Sequence, residues 1–574
     1  MYTTKQAYEH IAKNNEDPIV QRRTCKVSGT QFPIFQRDIE LLQKIWLATW
    51  WITQATKQND IWYLLPTLCP EERQRLRLLF RNEKNLYKRK CDATGKDILS
   101  VYEQNSPYKV YDKSYRRSDK RSALDFGQTF DFSKTFTENM DTLIKNVPIY
   151  NIQHNKPCEN SDYCNIVAEV RNGYMSSSWA YSQDIYYSNW FGWCDSCFDC
   201  SCILDCRECY QVVQSQKCYS SSYLYNCMNC TYSIGLTNCQ NCSYCIDCDN
   251  IVWKKYRIKN KQCTKEDYEL ALKNINKQDR QKTEHMPASV QSQSENSLWN
   301  FLYNCKDIHM WFDCSETKNW RYVYDGWDST DVLDCVEFLE NCESIYQAEE
   351  VWDTKNSMFV KSCFGVDHLL YSMNCYQQTA HCFGCVWLRG VKYAIFNKEY
   401  TQQEYIALQQ KIIWHMKETG ERWQYFDPRL SYFGYNETLA QDYFPIKQED
   451  NTRFKRQTNE NTIRIPENSN TIQTSEMQTN IQAIDQNYYK NIFIEEETNK
   501  PYRILEQEVA FYKKNNISLP KQHPRTRHNN RMQQKPHRSL QTTHCAVSWN
   551  EVVTAFWDIK NIYTPEIYTQ KVFW

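Results

Sequence analysis

The stretch that decides the fold runs from Cys194 to Cys248 and reads CDSCFDCSCILDCRECYQVVQSQKCYSSSYLYNCMNCTYSIGLTNCQNCSYCIDC. Its cysteines recur at one fixed interval: Cys197, Cys218 and Cys239 form one evenly spaced series, and Cys206, Cys227 and Cys248 form another. A fixed period of roughly 20 residues is typical of a solenoid, whose coils bury their apolar sides only by stacking. The sequence therefore predicts a mainly β protein built on a cysteine-rich β-solenoid, or β-helix, of about 21 residues per coil.

A second cysteine series, from Cys305 to Cys385, indicates that the solenoid is duplicated. The segment CIDCDNIVWKKYRIKNKQCTKEDY (245–268) aligns without gaps on CFGCVWLRGVKYAIFNKEYTQQEY (382–405). Each copy ends in a capping box, formed by Thr264 with Asp267 and by Thr401 with Glu404, which predicts that a helix follows. Since the open end of a solenoid exposes unpaired backbone groups, we interpret these helices as caps.

Composition excludes several classes of protein. The 69 basic and 69 acidic residues balance, so the whole chain carries no net attraction to nucleic acid or membrane. Neither a GxGxxG, a GxxxxGK[ST] nor an HExxH motif is present, which removes sequence support for nucleotide cradles and zincins. The first residues lack a secretory apolar segment, and the apolar run at 45–52 is too short to span a bilayer. We therefore expect a cytoplasmic protein whose 28 cysteines are reduced thiols or metal ligands.

The N-terminal region, 1–157, carries three isolated cysteines, Cys25, Cys69 and Cys91, at the positions of zinc knuckles. A knuckle needs Cys-x2-Cys, but Ser28, Glu72 and Thr94 occupy the second positions: each pair retains one thiol. Because structural zinc sites are almost always four-coordinate, a metal-free hairpin-and-helix module is the favoured interpretation, with zinc as the candidate metal. The stretch at 70–90 predicts a basic helix.

Three segments carry a resemblance to a known family: NEKNLYKRKCDATGK (82–96), SKTFTE (133–138) and FGYNETLAQDYFP (433–445). They resemble uncharacterised cysteine-rich proteins of uncultivated, small-genome bacteria, and the similarity runs through most of the chain. Members of such a family show fuller Cys-x2-Cys pairs in the flanking modules. The resemblance implies no function.

The N-terminal pattern returns near the C-terminus, where His523-Pro524 stands for Cys69-Pro70 and Cys545 for Cys91. From Val509 to Asn550 the chain has no Asp or Glu, which predicts a local positive field. Cations from both terminal modules are candidates for contacting nucleic-acid phosphates: Arg525, Arg527, Arg531, Lys535, Arg538, Arg73 and Arg77. A solvated basic surface explains the same pattern.

Candidate metal and catalytic residues lie inside the solenoids. The strongest zinc pattern is Cys227-x2-Cys230-x8-Cys239-x2-Cys242, and the run from Cys239 to Cys248 approaches iron–sulfur spacing. The period favours instead a column of small reduced thiols filling the coil. Asp325, Asp328 and Asp331 recur every three residues and could form one acid/base face, although Asp is also an ordinary corner residue.

These observations predict a linear order of domains: an N-terminal module (1–157), a first solenoid (158–260), a helix and flexible linker (261–300), a second solenoid (301–397), a helical cap (398–450), a polar linker (451–490) and a C-terminal copy of the N-terminal module (491–574). The predicted function is a non-enzymatic interaction scaffold whose main partner is a protein, with weak nucleic-acid contact at the terminal modules and no membrane. The alternatives are a carbohydrate-active β-solenoid enzyme and a zinc or iron–sulfur protein. The sequence leaves the oligomeric state open.

Overall fold

Each coil of the first solenoid spans 12 positions of the chain, the separation at which the side chains of Asn229 and Asn241 in successive coils hydrogen-bond. In a computed structural model, the strands pair in parallel with those of the next coil, as Asn165 does with Ser177. Single bridges repeat this interval on four ladders: Arg207 with Tyr219, Tyr210 with Ser222, Val213 with Tyr225, and Gln216 with Met228. Each coil therefore has four sides of three residues. The predicted β-solenoid is confirmed. The predicted coil length of about 21 residues, taken from the interval between Cys197 and Cys218, is wrong, because the coils pair at an interval of 12 residues.

A three-residue unit generates the coil. Every third residue from Ile166 to Lys259 has a positive φ, near 50°, so the chain turns a corner at each of them. The residue after each corner points into the coil. A positive φ is unfavourable for residues other than glycine and least so for Asn and Asp, which explains why so many of the cysteines follow Asn or Asp.

The inward residues form four columns, one per side. The columns contain Cys194, Cys206, Cys218, Cys230 and Cys242; Cys197, Cys209, Ser221, Ser233 and Cys245; Cys200, Val212, Leu224, Leu236 and Cys248; and Phe191, Ile203, Ser215, Cys227 and Cys239. All of these residues are buried. Cys206 therefore stacks on Cys218, and the expected stack of Cys206 on Cys227 does not form.

Hydrogen bonds explain why cysteine and serine alternate at these positions. The Cys206 thiol donates to the carbonyl of Leu204 at 3.4 Å and lies 3.7 Å from the carbonyl of Ser215 in the next coil. The Ser215 hydroxyl donates to the carbonyl of Val213 at 2.9 Å and accepts from the N–H of Cys227 at 3.0 Å. A small side chain that donates to backbone thus fills the narrow interior and satisfies its polar groups.

The structure describes residues 2–49, 64–117, 122–274, 284–292, 294–295, 298–315, 317–327, 330–336, 345–352, 361–364, 367–376, 378–447, 449–456, 465–485 and 487–572. They divide into two units. Unit 1 comprises Met1–Ile152, Glu284–Gln457 and Pro536–Tyr568, and unit 2 comprises Gln153–Thr283, Thr458–Lys535 and Thr569–Trp574. The N-terminal module therefore belongs to the same unit as the second solenoid, and most of the C-terminal module belongs to the same unit as the first solenoid.

Unit 2 contains the first solenoid and the helices that cover one of its sides. Its strands are Asn165–Tyr174, Ser177–Tyr186, Asn189–Gly192, Asp195–Phe198, Ser201–Leu204, Val213–Gln216, Ser243–Ile246, Lys255–Ile258, Lys261–Gln262, Thr471–Gln473, Ile492–Ile494 and Pro501–Tyr502. Its helices are Lys265–Asn274, Glu506–Lys514 and Pro524–Gln534, with short 3₁₀ turns at Thr474–Glu476, Ile481–Ala483 and Tyr488–Lys490.

Unit 1 contains the second solenoid. Its strands are Ile19–Thr24, Gln31–Phe35, Tyr87–Lys90, Asp97–Ser100, Val110–Tyr111, Ile149–Tyr150, His285–Pro287, Gln291–Ser292, Leu298–Tyr303, Lys306–Ser315, Lys318–Trp327, Thr330–Val336, Ile345–Trp352, Lys361–Phe364, Asp367–Leu370, Ala380–Phe383, Lys392–Ile395, Lys398–Glu399, Gln541–His544, Glu551–Thr554 and Asn561–Tyr563. Its helices are Lys5–Asn14, Gln36–Thr49, Pro70–Leu78, Lys113–Arg117, Phe136–Asn146, Gln402–Glu418 and Leu439–Tyr443, with 3₁₀ turns at Ala123–Phe126, Pro428–Leu430 and Tyr435–Glu437. The helix Pro565–Val572 begins in unit 1 and ends in unit 2.

The local predictions hold where hydrogen bonds between near neighbours decide them. Thr401 and Glu404 form the predicted capping box, and Thr264 and Asp267 exchange the same bonds at 3.1 Å. Predictions that depended on composition differ from the structure. The basic helix ends at Leu78, with the strand Tyr87–Lys90 after it. Parts of both expected linkers form strands, as Thr471–Gln473 does with Ile492–Ile494.

Candidate functional site

In unit 2 a column of aromatic side chains on the first solenoid holds a helix of the same chain. Tyr186 and Phe198, one coil apart, stack with ring centroids 4.5 Å apart. Phe511 stacks on Phe198 at 3.9 Å, and Tyr512 meets Tyr210 edge-on at 5.5 Å. Because rings one coil apart are nearly parallel, the column offers a flat apolar surface to an amphipathic helix.

A buried carboxylate anchors the next helix, Pro524–Gln534, to the same solenoid. Asp199 lies at a positive-φ corner and is 0% exposed. One of its oxygens pairs with Arg527, and the other accepts from Arg531 at 2.8 Å. Arg531 also donates to the carbonyl of Tyr187 at 2.8 Å. Burial, the largest single effect, would lower the pKa of Arg527, but the surrounding acidic groups, led by Asp199, together raise it, so the guanidinium stays charged.

Unit 1 repeats this arrangement with different partners. Arg73 and Arg77, on the helix Pro70–Leu78, both donate to one oxygen of Asp334, at 2.9 and 3.2 Å. Asp334 is also a positive-φ corner residue with no exposed surface. The Arg73 guanidinium lies 4.6 Å from the ring centre of Tyr322. An Arg-x3-Arg helix bound to a buried corner aspartate is thus the way in which both solenoids hold a module.

This arrangement accounts for six of the seven cations predicted to contact nucleic acid. Arg73, Arg77, Arg527 and Arg531 are buried against carboxylates. Lys535 lies over Trp190 and Arg538 over Tyr324, and both are buried. A phosphate would have to displace these internal contacts. The six side chains therefore do not form the exposed cationic surface that the sequence suggested. Arg525 is exposed, and its contact with nucleic acid stays a prediction.

Beside Asp199, the carboxyl of Glu508 is buried at the helix–solenoid contact. Its Oε1 accepts from the Tyr187 hydroxyl at 3.0 Å and from the N–H of Leu505 at 2.9 Å, while its Oε2 has no hydrogen-bond partner. Burial raises the pKa of Glu508 to about 7, and the Asp199 charge adds to this while Arg527 opposes it. A proton on Oε2 is therefore favoured in the folded state.

We expect the stability of this contact to fall as pH rises from about 4.3, the pKa of an unfolded glutamate, to about 7, because the folded state holds the proton over that window. Glu508→Gln, which replaces the protonated carboxyl, should match the wild type at pH 4 and exceed it at pH 8 by roughly 3 kcal/mol. Hydrogen exchange of the helix Glu506–Lys514 at both pH values measures this. Glu506→Gln, at an exposed position of the same helix, is the control, and an equal response of both variants would contradict the assignment.

A second aromatic column on the first solenoid is exposed. Tyr181 and Trp193 stack one coil apart, with centroids 6.0 Å apart, and are 38% and 44% exposed. The same corner carries Glu169 in the coil before them and Asp205 in the coil after them, both about half exposed. The order along this corner is acid, aromatic, aromatic, acid. We call these four residues the acidic–aromatic corner.

The four cysteines of the predicted zinc site are neighbours in two successive coils. Cys230 and Cys242 share one column, and Cys227 and Cys239 share the next. Burial raises the pKa of Cys227 well above its usual value, which keeps the thiol protonated at neutral pH, whereas zinc binds thiolates. Within the described part of the chain, no group of three or more His, Cys, Asp or Glu is placed to hold a metal ion. Zinc at this quartet stays a prediction.

The knuckle positions of the N-terminal module are only partly assembled. Ser28 Oγ lies 3.7 Å from Cys69 Sγ, so the second position of the first pair meets the cysteine of the second pair. Glu72 turns elsewhere, to Tyr2, Arg75 and Arg453, at 2.7–2.9 Å. The Cys91 thiol accepts from the N–H of Asp112 at 3.3 Å. The metal-free interpretation of this module stays a prediction.

The backbone is described for two members of the proposed acid/base series. Asp325 lies in the strand Lys318–Trp327 and Asp331 in the next strand, while Asp328 lies outside the described residues. These strands pair one coil apart, with Lys318 opposite Thr330, so residues three apart occupy successive sides of a four-sided coil. A catalytic role of Asp325, Asp328 and Asp331 stays a prediction. Asp334, the next member, is the buried anchor of Arg73 and Arg77.

Sequence reasoning missed the acidic anchors and the covered aromatic column. Asp334 is 261 positions from Arg73, and Asp199 is 332 positions from Arg531, so no local sequence pattern indicates these pairs.

The chain matches no known protein-family profile and no curated protein. Among the described residues, no helix is both long and apolar enough to cross a bilayer.

Proposed function

We propose that the chain is a non-enzymatic scaffold that binds a helical segment of a partner protein at the acidic–aromatic corner of the first solenoid. One observation carries the proposal: the same solenoid already holds a helix of its own chain on an aromatic column with a carboxylate beside it. The corner offers both elements again, two stacked rings and carboxylates, on an exposed surface.

The chemistry of the corner defines the partner. Glu169 and Asp205 flank the rings three coils apart, roughly 14 Å at the spacing of adjacent strands, which favours arginines separated by two to three turns of a helix. Tyr181 and Trp193 favour an aromatic or long apolar side chain on the ligand, placed between its two arginines, because aromatic anchors dominate protein interfaces. The expected ligand is therefore a basic amphipathic helix. The free thiols of the described cysteines suit the cytoplasmic location that the sequence predicts.

The test is a selection of random displayed peptides on the full-length protein. We expect the enriched peptides to combine arginine with aromatic residues at helical spacing and to lose at least about tenfold in affinity for Trp193→Ala, the loss of one interface anchor. The control is Trp414→Ala, because Trp414 is 62% exposed on the helix Gln402–Glu418 of unit 1.

Two results would overturn the proposal: peptides that bind Trp193→Ala as well as the wild type, or a set of peptides without basic residues. Turnover of a polysaccharide that disappears in Asp331→Ala would instead establish the carbohydrate-active alternative.

A further inference from the structure

The last coils of the two solenoids are closed by the same device, an asparagine in the hairpin that follows the coil. In unit 1, Asn397 accepts from the N–H of Val386 at 2.8 Å and donates to its carbonyl at 2.8 Å. In unit 2, Asn260 accepts from the N–H of Asp249 at 3.1 Å and donates to its carbonyl at 2.9 Å. The two ends belong to the segments that align without gaps, so they can be compared residue by residue.

In unit 1, a segment of the N-terminal module covers this end of the solenoid. We call residues 122–132 the covering segment. The N–H of Gln128 donates to the carbonyl of Phe396 at 2.9 Å, and the side chain of Asn397 donates to the carbonyl of Ala123 at 3.1 Å. The end of a solenoid exposes a row of unpaired backbone groups, and here a segment of the same chain pairs with part of that row.

The covering segment packs closely on the second solenoid. Gly127 lies so near the carbonyl of Asn397 that a Cβ at this position would not fit. The ring of Phe130 packs on that of Phe396, with centroids 5.4 Å apart. As a result, both Phe396 and Asn397 are fully buried.

The matching end of the first solenoid is open. Lys259 and Asn260, which align with the two fully buried residues of unit 1, are exposed, and so is Lys254. The cap helix is present in both units, because Tyr268 is buried in unit 2 as the aligned Tyr405 is in unit 1. The difference between the two ends therefore lies in the covering segment.

Cations replace apolar side chains at the open end. Three positions that are buried and apolar in unit 1 carry Lys254, Arg257 and Lys259 in unit 2. Lys255 and Lys261 add two exposed cations in the same coil and its hairpin. Lysines on an open edge repel an identical edge, which argues against a second copy of this solenoid as the occupant. The same charges favour an acidic ligand.

We propose that the open end of the first solenoid binds an acidic segment of a partner protein, which lies on the last coil as the covering segment lies on that of the second solenoid. The ligand pairs its backbone with the coil and places a carboxylate at Lys259, where unit 1 has the contact between Phe130 and Phe396. A polar contact suits a reversible ligand, because an exposed lysine needs no cover when the ligand leaves. This end shares no residue with the acidic–aromatic corner and takes a ligand of opposite charge.

The experiment titrates a fluorescein-labelled peptide of residues 122–132, carrying Phe130→Glu, into the full-length protein at low ionic strength and follows the anisotropy. We expect saturable binding, and at least about tenfold weaker binding of the same peptide carrying Phe130→Lys, because like charges then meet. The double variant Lys254→Glu with Lys259→Glu should reverse this preference. It should weaken the Phe130→Glu peptide by at least about tenfold and bind the Phe130→Lys peptide more tightly than the wild type does.

Three controls locate the binding. Lys217→Glu, at an exposed corner three coils before Trp253, should leave the affinity unchanged. A peptide that also carries Gly127→Val keeps its charge but loses the close approach, so it should bind at least about tenfold more weakly. With a benzophenone in place of the Phe126 ring, the crosslinks should map to residues 249–262.

Four results would overturn the proposal. Two concern affinity: no saturable binding at millimolar peptide, or binding that the double lysine variant leaves unchanged. The third is a set of crosslinks that falls outside residues 249–262. The fourth is a single-stranded oligonucleotide that displaces the peptide and binds this end more tightly, which would assign the end to nucleic acid instead.

Discussion

Asp199→Ala is expected to release the helix Pro524–Gln534 from the first solenoid. The substitution leaves Arg527 and Arg531 buried without the carboxylate that both of them contact. Removing one partner of a buried ion pair costs about 3–5 kcal/mol, and here one carboxylate serves two guanidinium groups. Hydrogen exchange of the helix, followed against urea concentration, should show this loss.

Two variants separate charge from packing. Asp205→Ala removes a carboxylate from the same kind of positive-φ corner, but its side chain is half exposed and its contact with Arg207 is 3.9 Å long, so the expected cost is below about 1 kcal/mol. Replacing Asp199, Arg527 and Arg531 together by Leu, Met and Leu removes every charge of the cluster and should recover much of the stability. Equal losses in Asp199→Ala and Asp205→Ala would contradict the account.

Cys206→Asp is expected to prevent the first solenoid from folding. The Cys206 thiol donates to the Leu204 carbonyl and lies near that of Ser215, and an ionised carboxylate there would face oxygens instead of donors. An unpaired buried charge costs far more than the stability of a typical domain can absorb. Circular dichroism and the yield of folded protein report the outcome.

Substitutions in the same coil make this prediction specific. Cys206→Ser should cost no more than about 1 kcal/mol, because inward serines such as Ser215 make the same bonds. Cys202→Asp should be tolerated, because Cys202 is a half-buried corner residue with a φ of 55°, a conformation that Asp adopts more readily than most residues. A folded Cys206→Asp protein would show that Cys206 does not face the interior.

The sequence predicted a solenoid but not the length of its coil, and the columns of inward-facing residues show why. Inward residues recur every third position, so any two inward cysteines are separated by a multiple of three, as Cys197 and Cys218 are. The true period was present in the evenly spaced Cys194, Cys206, Cys218, Cys230 and Cys242. Cysteine spacing alone does not show the number of sides. The ladders that connect successive coils determine it.

The sequence also did not reveal the ion pairs between residues far apart in the chain. The arginines at 73, 77, 527 and 531 read as a surface charge pattern because nothing near them marks Asp334 and Asp199 as partners. The polar stretch at 451–490 was predicted to be a linker, yet Met477, Ile481 and Ile484 within it are buried in the core of unit 2. Three apolar side chains in a polar segment suffice to pack it once a surface is available.

A sulfur anomalous map from crystals of the full-length protein, recorded at long wavelength, tests the central claim most directly. The account predicts one column of peaks for Cys194, Cys206, Cys218, Cys230 and Cys242, with neighbours about 4.8 Å apart, the spacing of adjacent strands. A column that joins Cys206, Cys227 and Cys248 instead, or four cysteine peaks gathered around a stronger metal peak, would contradict a four-sided coil lined with reduced thiols.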